Sequence, residues 1–576
     1  MASSPASPSR LKVNIQTFDQ VIALSQAHIN QTLKHNFTFT KSNKDLLKFG
    51  KDFNGYSLYG DLKPPSIGVI ASDQGEKALL YLEFKDGSEF FWTENTSIKG
   101  ADGRPAKATA EIKQISASGW RLAFLTTFSL QEVAKSDLPN QVAAVTSELG
   151  KPGDYSISRL IIDFGNAKHL TLVWEECLTP GLTGETKDKM KSHIQIFFQD
   201  WFDALRISGN YNVLGYTAKV NPTPKVLEQA NKDAPHLSPT ALRLQTMIQP
   251  SSGEVPNEDG HLNAILFTEM TEQRSLPKDK LPWSGDLFYQ SIGGTLAMSK
   301  TNFWERFIKP KLQVVNQENL KLMNHIAWLF CDQSRFSSQQ SMFTNPIANS
   351  PWVVQPKEKG TFENVNFTFN KDSNQQWREE FKNETTRKMS DGEDKWTSEA
   401  YCRNDIRALP GTGLIRIESD VYVLSTRQIT GSLSLAVFAL LSMTRIRWTT
   451  FLNLQAIENG GALDVKVTTE EREVDCRVMP VSATIFDNVP VLKSYVKDLG
   501  SNIDAKTKDI PNLARNYIKG LMAAQNTAKQ LSDVLNGQGR FIFPGGGTFD
   551  MKDPIFSKNE DLLIGLSYKQ GQDKSA

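Results

Sequence analysis

The sequence predicts an α+β protein in which long antiparallel strands accompany a few very apolar helices, arranged as two related halves. Three observations predict this class: two distant segments that read alike, many strand-like runs, and a helix with an aromatic face. At 576 residues the chain is too long for one core. Its length suits two large halves or about three to four smaller domains.

The two similar segments are residues 21–29 (VIALSQAHI) and 295–303 (TLAMSKTNF). In both, apolar residues lead to a Ser, then to three mostly polar residues and a large apolar side chain. We expect a short buried strand that ends at the Ser, whose hydroxyl caps a following amphipathic helix. Thr17 and Gln20 also fit a capping box, so a single helix over residues 18–36 is an alternative that would remove the repeat.

Strand patterns occupy much of both halves. Residues 77–84 and 89–92 flank Asp86-Gly87, which predicts a hairpin between them. From Leu414 onward, alternating polar and apolar residues predict long antiparallel ribbons with one solvated face. Residues 371–396 are highly charged with few apolar anchors, so we expect a surface excursion there.

One segment carries large apolar side chains at helical spacing. These residues are Met190, Ile194, Phe197, Phe198, Trp201, Phe202 and Leu205. They either pack against a sheet as ordinary core or line an apolar cavity that holds a lipid or another hydrophobic ligand. The candidate ligand-lining residues are Phe197, Phe198, Trp201, Phe202 and Leu205.

Turn formers and polar residues divide the chain into predicted parts. We expect a flexible tail over residues 1–12 and a first α+β half over 13–248. A polar linker over 249–262 then leads to a second half over 263–568, and a flexible tail follows over 569–576.

Charge balance, apolar stretches and cysteine positions limit the partners and the location that we expect for this protein. Lys and Arg number 65 against 64 Asp and Glu, which argues against long-range attraction to nucleic acid. No stretch reaches the roughly 20 apolar residues of a membrane-spanning helix, although peripheral membrane contact stays open. The four cysteines are scattered and the N-terminus lacks a secretory signal. We therefore expect a soluble, cytoplasmic protein, with unconventional export left open.

Motifs for catalysis are missing from the sequence. It contains none of the common nucleophile, zinc-protease or phosphate-loop patterns. Its seven histidines are scattered, and we expect His28 and His35 to lie on the surface. Glu175 and Glu176 lie beside Cys177, but no base can be paired with them. We expect no catalytic residue, no metal and no cofactor.

Several patches resemble a known family. Residues 17–25 (TFDQVIALS), the pattern of residues 296–312, and residues 212–216 and 543–546 are similar to OrfX-type accessory proteins of clostridial neurotoxin gene clusters. Those proteins belong to the tubular lipid-binding (TULIP) superfamily. The resemblance implies a long helix wrapped by a highly curved antiparallel sheet, an elongated shape, and a lipid ligand.

Our leading hypothesis is a soluble, non-enzymatic protein that binds a lipid or another hydrophobic molecule in an elongated apolar groove, or presents that groove to a protein partner. A second hypothesis is a structural or interaction subunit, of toxin-accessory type, whose interior is packed solid. A third, less favoured, is an enzyme of specialised metabolism with a site assembled from distant residues.

Overall fold

A computed structural model gives the architecture of the protein. It describes residues 7–39, 45–70, 76–99, 105–138, 140, 142–143, 155–163, 171–208, 213–220, 239–250, 257–288, 293–331, 368–369, 375–389, 392–431, 437–456, 463–481, 510–519, 528, 541–542 and 549–568.

Most of the described chain is antiparallel strand. The strands are β1 (Gln20–Ser25), β2 (Lys48–Phe53), β3 (Tyr56–Asp61), β4 (Ser66–Val69), β5 (Lys77–Glu83), β6 (Glu89–Lys99), β7 (Pro105–Ser116), β8 (Arg121–Val133), β9 (Tyr155–Asp163), β10 (Val213–Val220), β11 (Pro239–Met247), β12 (Ala264–Thr271), β13 (Gly294–Met298), β14 (Thr368–Phe369), β15 (Gln375–Met389), β16 (Gly392–Ala408), β17 (Leu414–Gly431), β18 (Val437–Ala456), β19 (Leu463–Val481), β20 (Phe541–Ile542), β21 (Phe549–Phe556) and β22 (Leu562–Tyr568).

Fewer residues are helical. The longer helices are α1 (Gln26–Phe39), α2 (Gly184–Ser208), a π-helix (Thr301–Ile308), α3 (Lys309–Cys331), which directly continues the π-helix, and α4 (Ile510–Lys519). The sheets are antiparallel, and one of them is curled into a half-barrel. The predicted α+β class is therefore confirmed.

The two similar sequence segments lie side by side in the middle of one six-stranded sheet, the central sheet. The central sheet has the order β11-β12-β1-β13-β22-β21, and β1 pairs with β13 antiparallel. Ile22 and Leu296 occupy equivalent positions in the two segments, and they pair with each other. Such self-pairing of equivalent positions is what a local two-fold axis between the strands produces.

The Ser residue ends its strand in the same way in both segments. Ser25 Oγ accepts a hydrogen bond from the His28 amide at 3.2 Å, and Ser299 Oγ accepts one from the Asn302 amide at 3.1 Å. The Ser25 amide donates to Gly293, and the Ser299 amide donates to Asp19. The predicted strand–Ser–helix element is confirmed twice, and a single helix over residues 18–36 is wrong.

Strand pairing shows which hairpin accompanies each segment. In the central sheet β12 pairs with β1, and β22 pairs with β13. Each half thus begins with a strand–Ser–helix element and ends with a hairpin beside that element. Because the expected linker at 249–262 falls between the two strands of the first hairpin, we propose that the halves meet between Thr271 and Gly294 instead.

The chain next to the N-terminus packs into the molecule. Residues 1–6 and 569–576, where tails are expected, lie outside the described residues. Residues 10–12 form a short 3₁₀-helix in which Arg10 is buried and donates to the Leu287 carbonyl. Burial lowers the pKa of Arg10 to about 10, against the opposing effect of the carboxylates of Asp553 and Asp286.

Two further sheets contain the other strands of the first half, and the edge strand β20 of one of them comes from the second half. Their strand orders are β20-β10-β9-β8-β5-β4 and β2-β3-β6-β7. Gly87 has a φ of 84° and does make the predicted turn. The predicted hairpin is nevertheless wrong, because β5 pairs with β4 and β8 whereas β6 pairs with β3 and β7. The turn moves the chain from one sheet to the other.

The second half contains a sheet with the order β14-β15-β16-β17-β18-β19, whose last five strands are 15 to 20 residues long. The expected surface excursion is wrong for residues 375–389 and 392–396, which pair as neighbouring strands of this sheet, β15 and the start of β16. Helix α3 packs against β16 and β17. One apolar core joins both halves, from Phe90 through Ile22 and Leu296 to Leu452.

A buried carboxyl group ties the N-terminal segment to the second helical element. Asp561 is 3% exposed and accepts hydrogen bonds from the amides of Ile15 at 3.0 Å and Lys300 at 2.8 Å. Burial raises the pKa of Asp561 to about 6, and the two amide donors oppose this only in part. The folded protein therefore binds this proton more tightly than the unfolded chain does.

We expect this carboxyl group to make stability fall as pH rises from about 4 to about 6. Below the unfolded pKa of about 3.9 the carboxyl group is protonated in both the folded and the unfolded state, and above about 6 it is ionised in both. Between these values only the folded state holds the proton, so the free energy of unfolding falls by about 3 kcal/mol across the window. In urea unfolding, the stability advantage of the wild type over Asp561→Asn should shrink across that window. A difference that stays constant from pH 4 to pH 7 would contradict the assignment.

Candidate functional site

The candidate site is built on helix α2, whose predicted helical pattern is confirmed. One face of this helix is buried, including Met190, Ile194 and Phe198, each at 0% exposure. On another face, Ile196 is 41% exposed. The helix is thus amphipathic, with its large side chains directed into the core of the first half.

Phe198 lies at the centre of an aromatic cluster. Its ring stacks on Phe49 with 4.3 Å between centroids and an interplanar angle of 20°. Phe124 lies 5.3 Å away, and Phe84 meets the ring edge-on at 6.2 Å. These separations are those of rings in direct contact, so side chains of three different strands or loops surround Phe198.

The neighbouring candidates join the same cluster. Phe202 meets Phe124 edge-on at 5.0 Å and Trp201 at 5.2 Å. The indole N–H of Trp201 donates to the Leu46 carbonyl at 2.8 Å, which satisfies the one polar atom of that side chain. Phe197 is also buried. The side chain of Leu205 lies outside the described residues, so four of the five candidates are brought together here.

One end of the aromatic cluster approaches the surface. The His193 ring lies 4.1 Å from Tyr56 and 6.0 Å from Phe53. Phe53 is 37% exposed. An apolar rim therefore connects the buried rings of α2 with the solvent.

The thiol beside the two glutamates is not activated. Cys177 is buried, accepts a hydrogen bond from the Ala123 amide at 3.3 Å, and donates to the Val173 carbonyl. Burial raises the pKa of the Cys177 thiol, which keeps it in the neutral, weakly nucleophilic form. Lys187 and Lys191 lie over the face of Trp174, at 5.6 and 5.8 Å from its centroid.

His28 is in the interior, so its expected place on the surface is wrong. Its side chain lies in the first turn of α1, and desolvation lowers its pKa to about 4. A Cβ on Gly293 would lie 2.7 Å from Nδ1 of this ring, so the glycine makes room for it. His35 has no described side chain. Among the residues that the structure describes, no three metal-ligating side chains cluster.

A buried polar layer lies between α3 and the long-stranded sheet. Asn404 on β16 donates from Nδ2 to Asn316 at 2.6 Å and accepts from Asn319 and Ser419, each also at 2.6 Å. The three asparagines are fully buried. Sequence reasoning missed this layer because periodicity searches score apolar residues, and an inward-facing Asn resembles a solvated position.

Within the described part of the chain, no helix combines the length and the hydrophobicity that a membrane span requires. No protein-family model matches the sequence, and no curated protein matches it either.

The fold has distant neighbours among solved structures. P47 from Clostridium botulinum A2 is similar at a TM-score of 0.45 and 10% identity, over 97% of this chain and 99% of that one. P47 of Clostridium botulinum E1 gives 0.43 and 11%, over 96% and 100%. A lipopolysaccharide binding protein gives 0.27 and 8%, over 96% and 100%. The likeness is coarse.

Proposed function

We propose that this protein is a non-catalytic binding protein that holds a hydrophobic molecule of lipid class beneath helix α2. The observation that supports this proposal is the aromatic cluster beneath α2, which extends from the buried Phe198 through His193 to the partly exposed Phe53. A ligand chain could therefore enter from solvent and stay in an apolar environment along its length.

Apolar burial alone provides enough energy for such a complex. Each buried methylene contributes roughly 0.8 kcal/mol, so a chain of about ten methylenes gains about 8 kcal/mol before its loss of entropy. No polar motif is needed, which agrees with the lack of catalytic patterns in the sequence. The ligand must, however, displace or reorient rings that now touch one another.

Those ring contacts favour a second candidate function. Centroid separations of 4.3 to 5.3 Å around Phe198 and Phe202 are typical of side chains that fill a core. A protein with a filled interior would act through its surface, as a structural or interaction subunit with a protein partner. The experiment on ligand uptake has to separate these two functions.

Two described cysteines, Cys177 and Cys476, are free thiols. Free thiols are typical of proteins that work in a reducing environment, so we propose a cytoplasmic site of action.

The test is lipid recovery and uptake by the purified full-length protein. Native mass spectrometry before and after organic extraction should detect a bound lipid, and a fluorescent fatty acid should bind saturably. Phe202→Trp, which adds volume beneath α2, should weaken uptake at least about tenfold by occluding the site. Ile196→Trp on the exposed face of the same helix is the matched control and should leave uptake unchanged.

A second variant at the same position distinguishes occlusion of the site from misfolding of the protein with the larger side chain. Phe202→Leu removes volume, and we expect it to bind the fatty acid as tightly as the wild type or tighter. If the wild type yields no lipid and takes up no fatty acid, the proposal fails. A stoichiometric protein partner that co-purifies would then favour the interaction subunit.

A further inference from the structure

The long-stranded sheet carries a cleft whose charged side chains, such as Arg403 and Asp420, alternate along the strands with the α3-facing Asn404 and Ser419. Its volume is about 170 Å³. Residues of β16, β17, β18 and β19 line the cleft: Arg403, Glu418, Ser419, Asp420, Arg445, Arg447, Trp448 and Arg472. The cleft is separate from the aromatic cluster and plays no part in the proposed hydrophobic site.

Strand register brings the arginines together. Arg403 pairs with Asp420, and Asp420 pairs with Arg447, so these three side chains lie on one face of adjacent strands. The register between β18 and β19 shifts after Arg447, where Glu473 and Glu471 are the successive partners. Arg472 is the extra residue of this β-bulge, a device that redirects side chains.

Positive charge exceeds negative charge at the cleft. Four arginines and two carboxylates line it. The excess of positive charge remains when the ion-pair partners of these residues are included. Glu418 forms ion pairs with three arginines, Arg407, Arg416 and Arg472. The other three ion pairs join Arg403 to Asp405, Arg445 to Asp420, and Arg447 to Glu473. In these ion pairs of the described residues, six arginines thus share four carboxylates.

The arginines also have donors to spare. Arg403 reaches Asp405 through Nε at 3.2 Å, and Arg472 reaches Glu418 through one terminal nitrogen at 3.3 Å. Each guanidinium carries five N–H donors, so these ion pairs use a minority of them. The side chains of Arg403, Arg447 and Arg472 are 43%, 46% and 48% exposed, which leaves them accessible to a ligand.

We propose that this cleft binds a phosphate monoester group. A phosphate monoester has a charge of about −1.5 to −2 at pH 7, which matches the excess of two positive charges. Its oxygens accept bidentate hydrogen bonds from guanidinium groups, the geometry for which arginine is best suited. Arg403, Arg447 and Arg472 bind the anion, while Arg445 stays engaged with Asp420 through Nε and a terminal nitrogen at 3.2 and 2.8 Å.

Calorimetric titration with inorganic phosphate at low ionic strength tests the proposal. The wild type should bind saturably. The double variant Arg403→Gln/Arg472→Gln should bind at least about tenfold more weakly, because two charge-assisted contacts are lost. The control is Arg477→Gln, which removes an equally charged side chain of β19 that pairs with Asp475 and does not line the cleft. Equal binding by the double variant and the wild type would overturn the proposal.

A second variant, expected to bind phosphate more tightly than the wild type, strengthens the test. Glu418→Gln removes a competing carboxylate, so phosphate should bind several-fold tighter. Unchanged or weaker binding by this variant, with the thermal midpoint preserved, counts against the site.

Vesicles of phosphatidylcholine with and without phosphatidic acid distinguish the source of the phosphate. Binding confined to phosphatidic acid vesicles assigns a lipid headgroup, whereas equal competition by free glycerol phosphate assigns a soluble ligand. Binding to neither probe nor to inorganic phosphate refutes the proposal.

Discussion

Replacing Phe198 with alanine should lower the free energy of unfolding by about 3 to 5 kcal/mol, as removal of a fully buried aromatic ring does. The ring is 0% exposed and lies against Phe49, Phe84 and Phe124. Its loss forfeits both the transfer free energy and the contacts of the surrounding rings, which a rigid set of strands cannot restore by collapse. Denaturant unfolding followed by tryptophan fluorescence measures the change.

The matched control for this change is Ile196→Ala on the same helix. Because Ile196 is 41% exposed, its truncation should change stability by less than about 1 kcal/mol. If Phe198→Ala also changes stability by less than about 1 kcal/mol, the ring does not contribute to a packed core, and the packing described around it is wrong.

The same variant helps to choose between the two candidate functions. In a filled interior, the alanine leaves a ring-sized apolar cavity, and added benzene should recover part of the lost stability. In an interior that normally holds a ligand, the wild type itself should be stabilised by a fatty acid and weakly by benzene. Thermal midpoints with each additive therefore distinguish a filled interior from an occupied one.

Features that depend on neighbouring residues could be predicted from the sequence. The strand–Ser–helix elements at Ser25 and Ser299 were predictable because a cap forms within a single turn. The aromatic face of α2 was predictable because helical spacing brings its residues to one side whatever they pack against. The resemblance between the two segments predicted equivalent elements, although not that β1 and β13 would pair with each other.

Features that depend on strand partners could not be predicted. The prediction of a turn at Gly87 was correct, but no local signal in the sequence specifies that β5 and β6 belong to different sheets. The charged residues of β15 gave no apolar alternation, and only pairing with β16 makes that segment a strand. The arginine cleft is likewise invisible in the sequence, because its residues come from four strands and meet only through their register.

The largest effect expected in the second half comes from Asn404→Leu. The substitution keeps the branched shape of the side chain but removes the donor and the acceptor that serve Asn316, Asn319 and Ser419. Each of these buried groups loses a hydrogen bond that water cannot readily replace, at about 1 to 3 kcal/mol apiece. We expect a loss of about 3 kcal/mol or more in the free energy of unfolding.

Ile406→Val provides the control for this variant, since Ile406 is buried two residues further along the same strand face. Loss of one methyl group there should cost about 1 kcal/mol. Combining Asn404→Leu with Asn319→Leu should cost less than the sum of the single changes, because the two side chains bond to each other. Strict additivity would show that the asparagines act separately, in which case the polar layer would not hold α3 in register on the sheet.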